Sequence, residues 1–337
     1  MWRQERQFKS FIVVTKSSTA RGQMWKREAT NLNEDDFENT TDLKIKMAMA
    51  KHAALSIAAA IMQVPAEVYT TPPMIDPYPP TTEEERRIRR RISTLLESGW
   101  DSMAGFDIPS SDTRLVDETM NSTMTDHNPS TYGEITELGA RQLFHYMGIA
   151  HDCDIGQRNK VSTTDSGISF FDLGCGNGKL VIQAFMEVTN LKCSRGVELA
   201  PSRLMIAKHV WGNIENEVIS IRQDLISFKN KRRSERLREK ESIAQEIYFD
   251  QGDLFMYDIS DATHIYVASL CFTDDMMKRL GLKIIDEASR LCCIATLTRF
   301  PVEVEEQLVE PRQEYVEMSW TKSRGQGGVV YFYQMIP

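Results

Sequence analysis

An apolar run that stops at an acidic residue, followed at once by three closely spaced glycines, leaves few folds open to this chain. Ile168, Phe170 and Phe171 read as a buried parallel strand ending at Asp172, and Gly174, Gly176 and Gly178 follow in a tight loop. A second strand, Cys193–Glu198, ends in an acid that lies 20 positions after Gly178. Glycine lets a backbone turn sharply out of a strand and leaves room for a ligand to lie against it. A carboxylate at the tip of the next strand is placed to accept hydrogen bonds from both hydroxyls of a ribose. The pattern therefore implies a site for an adenosine-containing cofactor.

The loop's details narrow the choice. Its glycines run G-x-G-x-G, so the dinucleotide fingerprint G-x-G-x-x-G is not met. Gly174 to Lys179 also lacks the spacing and the hydroxyl of a phosphate-binding P-loop. Asp172 sets a negative charge where a pyrophosphate would otherwise sit, which suits the cationic, amino-bearing end of S-adenosylmethionine. The run D-L-G-x-G-x-G with a downstream acid resembles the class I methyltransferases. That resemblance implies a Rossmann-like α/β fold with a mostly parallel seven-stranded sheet.

Along the chain, strands alternate with helices as such a sheet requires. The spacing predicts helices at Glu137–Met147, Leu180–Val188 and from Pro201 onward, a residue suited to a first helical position. Ile243–Phe249, His264–Ala268 and Leu291–Leu297 read as the third to fifth strands, and Glu314–Met318 with Val329–Gln334 as a closing hairpin. Asp172, Glu198 and Asp253 are expected beyond the carboxyl ends of their strands, where ligands of such sheets bind.

Upstream the pattern is less regular. Residues 1–42 form a tail, basic over its first 27 residues (seven Lys or Arg against Glu5) and acidic afterwards. Its start reads either as a basic tail or as a mitochondrial transit peptide. Residues 43–130 form a mainly helical region, with a helix in Leu43–Val64, a Pro-rich linker at Thr70–Pro80 and a helix through Arg86–Leu96 that Thr81 to Glu85 cap and charge. Ser110–Pro129 is polar, lacks periodicity and reads as a loop. The third segment is residues 131–337.

The 337 residues carry a formal charge of −8, which argues against nucleic-acid binding over the whole surface. A local exception is Lys229–Glu241, read either as a solvated helix face or as a contact to nucleic acid or an acidic protein surface. No apolar run reaches the ~18 residues of a membrane span, so no membrane partner is expected. The six cysteines lack C-x-x-C pairs or a histidine cluster, so they read as small buried residues and no metal is expected.

Flanking motifs make the resemblance narrower. Tyr132-Gly133-Glu134-Ile135-Thr136 precedes the first strand, Gly252-Asp253-Leu254-Phe255 follows the third, Val267 to Asp274 follows the fourth, and Ser319-Trp320-Thr321 leads to the aromatic strand Val329–Tyr333. In that order the chain, over roughly residues 130–337, resembles the DOT1-type histone lysine methyltransferases. The resemblance implies S-adenosylmethionine as cofactor, histone H3 in nucleosomes as protein substrate and the nucleus as compartment, with mitochondria or cytoplasm left open. It also implies roles. Tyr132, Glu134 and Thr136 would close over the methionine end, and the amides of the Gly174–Gly178 loop would hold its carboxylate. Lys179 would adjoin them, Glu198 would take the ribose, and Asp253 and Leu254 the adenine. Phe272, Trp320, Tyr331 and Phe332 would build the acceptor channel, with Ser269 beside it, although Phe332 suits core packing equally well.

Three departures bear on the acceptor. Ala268-Ser269 stand where the family carries an Asn pair, Lys179 replaces a glutamine, and Ile135 interrupts the Tyr-Gly-Glu-Thr run. A non-histone protein, a small molecule, or a non-catalytic scaffold built on the cofactor fold are the competing readings.

Overall fold

The computed structural model describes residues 74–100, 105, 108–119, 133–149, 167–232, 246–321 and 327–336. The chain divides into two compact units, Met1–Thr70 and Thr71–Pro337. The first lies outside the described residues, and with it the expected tail and the Leu43–Val64 helix. No helix among the described residues is long and apolar enough to cross a membrane.

Within Thr71–Pro337 the strands are β1 (Ile168–Leu173), β2 (Leu191–Glu198), β3 (Glu246–Gln251), β4 (His264–Val267), β5 (Cys293–Thr296), β6 (Arg312–Val316) and β7 (Gly328–Tyr333). They form one sheet in the order β3-β2-β1-β4-β5-β7-β6. Pairing is parallel from β3 across to β5, and β7 runs antiparallel to both β5 and β6. This order, with its single reversed strand, is the Rossmann-like class I methyltransferase fold. The direction of winding reverses between β1 and β4, which opens a crevice at their carboxyl ends.

Seven α-helices are described with it: α1 (Glu83–Ser98), α2 (Ser110–Thr119), α3 (Glu137–Met147), α4 (Lys179–Glu187), α5 (Pro201–Arg232), α6 (Asp274–Glu287) and α7 (Val302–Glu305). Consecutive strand residues point to opposite faces, so Phe170 and Phe171 enter different cores. Phe170 packs with Phe144 of α3, Ile182 of α4, Leu204 of α5 and the α1 stripe Ile88, Ile92 and Leu96. Phe171 packs on the other side with Met277 and Leu280 of α6 and Val304 of α7.

The α1 start is the capping box read from the sequence. Thr82 Oγ1 accepts from the Glu85 amide at 3.1 Å, and Glu85 reaches back to the Thr82 amide at 3.2 Å. Arg91 then ties α1 to α5 through Glu217 at 2.7 Å and Asp224 at 2.5 Å. The expected loop after Ser110 is instead helix α2 as far as Thr119. Tertiary contacts hold it despite its weak local pattern: Val116 is buried, and Asp112 accepts from the Ser202 amide at 2.8 Å, capping α5. On α3, the face that carries the polar residues Arg141 and Gln142 is buried. Arg141 pairs with Glu187 at 2.8 Å, and Gln142 accepts from the Glu317 amide at 2.9 Å, so later segments cover that face.

Candidate functional site

The crevice is a cavity of about 280 Å³ at the carboxyl ends of β1, β2 and β4. Asp172, Gly174, Gly176, Glu198, Glu134, Lys179, Leu254, Phe272 and Trp320, all singled out in the sequence, line it.

The glycine loop is set by backbone geometry. Gly174 and Gly178 have φ of +90° and +79°, which residues with a Cβ rarely adopt. A Cβ on Gly178 would also stand 2.5 Å from the Phe249 ring and 2.8 Å from Ala207. The loop is closed onto β2: the Gly174 and Cys175 amides donate to the Val197 carbonyl at 2.8 and 3.0 Å, and the Gly178 amide to the Cys175 carbonyl at 2.9 Å. Glu198 clasps the turn, one oxygen accepting from the Gly176 amide and the other from the Ala200 amide, both at 2.8 Å. Most of the loop amides expected to face a carboxylate already serve the backbone or Glu198.

Asp172 is the group most out of balance. It is 3% exposed, and its Oδ1 has no hydrogen-bond partner among the described residues. Burial, aided by the neighbouring Glu198 charge, pushes its pKa up to about 8. A cationic ligand in the cavity would supply a counter-charge. Cys175 also lines the cavity, but burial first, and then the charges of Asp172 and Glu198, push its thiol up, away from the thiolate form that a nucleophile needs.

Opposite the loop, Glu134 is held by its own backbone, donating to Ser319 Oγ at 3.1 Å and accepting from the Ser319 amide at 2.8 Å. Its carboxylate accepts from Asn177 Nδ2 at 2.7 Å and stands 3.8 Å from Lys179 Nζ. One stretch of the wall is apolar: Ala268, Leu270, Phe272, Leu297 and Trp320.

Several expected residues lie elsewhere. Tyr132 is outside the described residues. Thr136 caps α3, its Oγ1 accepting from the Gly139 amide at 3.0 Å and donating to Glu317 at 2.7 Å, and it does not reach the cavity. Asp253 stands between the lining residues Gly252 and Leu254, but its Oδ1 accepts from the Phe255 amide at 2.8 Å and builds the turn after β3. Ser269 is fully buried and turned toward β5, its Oγ accepting from the Leu297 and Thr298 amides at 3.1 and 3.0 Å. Tyr331 and Phe332, as neighbours on a strand, split between the two cores. Of the four aromatics expected in the channel, Phe272 and Trp320 line the cavity, and Tyr266 lines it as well.

Other lining residues escaped the sequence reading. Asn177 sits inside the glycine loop and was legible there. Val116 arrives on α2 and Arg203 on α5, where it donates to the Gly105 carbonyl at 3.0 Å, and no local signal marks either. Trp100, just beyond α1, supports the loop from behind, its Nε1 donating to the Asn177 carbonyl at 3.0 Å.

The residues present fit S-adenosylmethionine. A buried carboxyl whose Oδ1 has no partner among the described residues could face a cation, a strand-tip acid has lone pairs to spare for a ribose, and an apolar wall flanks both.

No protein-family model matches the sequence, and no curated protein matches it. Among solved structures, the fold is similar to the rRNA methyltransferase aviRa from Streptomyces viridochromogenes, at 13% identity and TM-score 0.38 over 60% of this chain and 86% of that one. It is similar also to TrmN from Thermus thermophilus, at 12% identity and TM-score 0.37 over 60% of this chain and 49% of that one. A third is the mitomycin 7-O-methyltransferase MmcR, at 13% identity and TM-score 0.33 over 76% of this chain and 69% of that one. Likeness at this level bears on neither substrate nor reaction.

Proposed function

We propose that this chain is an S-adenosylmethionine-dependent methyltransferase whose acceptor is an uncharged amine. The observation that carries the reading is the juxtaposition in one cavity of the buried Asp172 carboxyl, its Oδ1 without a partner among the described residues, the Glu198-clasped glycine loop and the apolar wall from Ala268 to Trp320. When bound, S-adenosylmethionine supplies a methyl group on a sulfonium, open to direct displacement by a neutral nucleophile. Asp172 and Glu134 offer negative charge to its cationic end, and Glu198 holds the loop while presenting its remaining lone pairs. Ala268, Leu270, Phe272, Leu297 and Trp320 exclude water from the acceptor. An amine with an ordinary pKa of about 10.4 loses its proton more readily in such surroundings, so no general base is required of the protein. Alignment of amine and methyl then supplies much of the rate.

Two acceptors divide the reading. A lysine of histone in nucleosomes, and a nuclear location with it, is supported by the motif order at Gly133–Thr136, Gly252–Leu254 and Ser319–Thr321. A non-histone protein or a small molecule is supported by Ala268 where DOT1-type enzymes carry Asn, and by the withdrawal of Ser269 into contact with β5. The second reading has the firmer support, because it rests on the acceptor wall itself. The basic tract from Lys229 adds little to the first: Lys229 donates to Thr189 and Lys231 pairs with Glu84 at 3.5 Å, as on an ordinary helix face, and positions 233–241 lie outside the described residues.

Purified protein incubated with methyl-labelled S-adenosylmethionine, and separately with nucleosomes and with a soluble lysate, tests both. Label in histone supports the first acceptor, and label only in other species supports the second. Absence of transfer, together with absence of cofactor binding by calorimetry, would leave a scaffold.

A further inference from the structure

Tyr266 of β4 brings a hydroxyl to a cavity whose acceptor side is otherwise short of polar partners. It is the parallel register partner of Asp172 on β1. The two side chains leave the sheet on the same face: Tyr266 shares a core with Phe170, two residues before Asp172, whereas Phe171, Leu173 and Val267 belong to the other core. Both residues line the cavity and both are buried, Tyr266 with 4% of its surface exposed. Ala268, two residues further along, also lines it and begins the apolar stretch that runs to Trp320. Along the chain, Tyr266 is thus the last polar side chain before that wall.

A neutral amine entering such a wall brings its N–H groups with it, and a donor left unpaired away from water is costly. Ala268, Leu270, Phe272 and Leu297 have no side-chain acceptor, and the Trp320 indole is only a donor. Ser269 is turned toward β5, where its Oγ serves the Leu297 and Thr298 amides. The acids are committed as well. Glu198 accepts from the Gly176 and Ala200 amides, and Glu134 accepts from Asn177 with Lys179 beside it. Asp172 is taken up by the cofactor's positive charge. The Tyr266 hydroxyl differs from these: no hydrogen bond joins it to another described residue, and its oxygen has lone pairs to offer. Burial, and then the Asp172 charge, hold its pKa above the ordinary tyrosine value. The hydroxyl therefore keeps its proton and acts as a hydrogen-bond partner rather than as a base.

We propose that Tyr266 orients the acceptor, its hydroxyl oxygen accepting one N–H of the amine so that the nitrogen lone pair points at the methyl group. The proposal rests on the reading that the cavity takes S-adenosylmethionine and an amine, and it names the residue that aligns the two. In the transfer, the nitrogen lone pair forms the new N–C bond while the methyl C–S bond breaks and its electron pair stays on sulfur. The extra proton of the methylated ammonium passes to water on release. Alignment of this kind, with no proton taken by the protein, is the part of the rate that a fixed hydroxyl can supply.

Titration calorimetry with two probes tests the assignment without an identified acceptor. Each is an analogue of S-adenosylmethionine in which nitrogen replaces sulfur. One carries a 2-aminoethyl arm in place of the methyl group, setting an amine where the acceptor enters, and the other carries a propyl arm of the same size. Tyr266→Phe keeps the ring and removes the hydroxyl. It should weaken the aminoethyl probe by about tenfold and leave the propyl probe within about twofold, as expected for a buried donor deprived of its acceptor. Equal weakening of both probes, or of neither, overturns the role of Tyr266 and leaves the cofactor reading standing. Failure of wild-type protein to bind either probe overturns the cofactor reading, and this inference with it. Should Tyr266→Phe fail to fold, wild-type protein decides: an aminoethyl probe bound at least as tightly as the propyl probe upholds a polar partner at the wall, and tighter binding of the propyl probe overturns it.

Discussion

Replacing Asp172 with asparagine keeps the shape of the pocket floor and removes its charge. In the wild-type chain this carboxyl is buried, lacks a partner for Oδ1 among the described residues and has its pKa raised by burial, then by Glu198, from an ordinary 3.8 to about 8. Between those two values the native state keeps a proton that the unfolded chain has released. The stability this confers is therefore complete below pH 3.8 and is lost as pH rises through 8. Linkage sets the scale: between pH 7 and pH 9 the wild type should lose about 1 kcal/mol that Asp172→Asn does not lose. Urea unfolding of the cofactor-free proteins at both pH values reads this directly, because every other titrating group is common to the pair. Cofactor binding should reverse the balance. A cation beside Asp172 favours its charged form, so close to one proton should leave per site at pH 7, seen as binding heats that differ between buffers. Parallel loss of stability in the two proteins, together with heats that do not depend on the buffer, would refute the reasoning.

Three further substitutions probe the other walls. Glu198→Gln leaves one acceptor where two backbone amides need one each, and should cost about 1–3 kcal/mol of stability, besides cofactor affinity, in thermal unfolding and titration. Unchanged stability would show that the clasp is not structural. Ser269→Ala strips the Leu297 and Thr298 amides of their acceptor and should lower unfolding stability by about 1–3 kcal/mol, with turnover per folded molecule nearly intact. A fully stable but inactive variant would return Ser269 to the chemistry. Trp320 is 40% exposed and lies on the acceptor side, so Trp320→Ala should reduce kcat/KM for the acceptor by about tenfold while cofactor affinity changes little. A matching fall in cofactor affinity would place the ring in the wrong subsite.

Much of the sheet was legible because local rules govern it. The run Ile168–Leu173, the glycines after it and the Thr82–Glu85 capping box are short-range signals, and each sits within a few residues of its expected place. Helix α2 was not legible, since only Leu115 and Val116 mark an apolar face and its main anchor, the Ser202 amide, lies 90 positions away. The same holds for Trp100, whose loop contact spans 77 positions. The acceptor channel shows a different failure. Strand alternation alone puts Tyr331 and Phe332 on opposite faces, so motif likeness overrode a rule that the sequence already contained. Ser269 and Asp253 were placed at the correct end of the sheet. What their side chains do there depends on the neighbouring amides of Leu297, Thr298 and Phe255, which only the packed structure brings close.

The role proposed for Asp172 and Glu198 is to make this cavity a holder of an adenosyl sulfonium. Equilibrium dialysis of labelled S-adenosylmethionine against wild-type protein and a folded D172N/E198Q variant puts it to the most direct test. One saturable site in the wild type, lost in the variant, is the expected result. No retention by the wild type, or equal retention by both proteins, would contradict it.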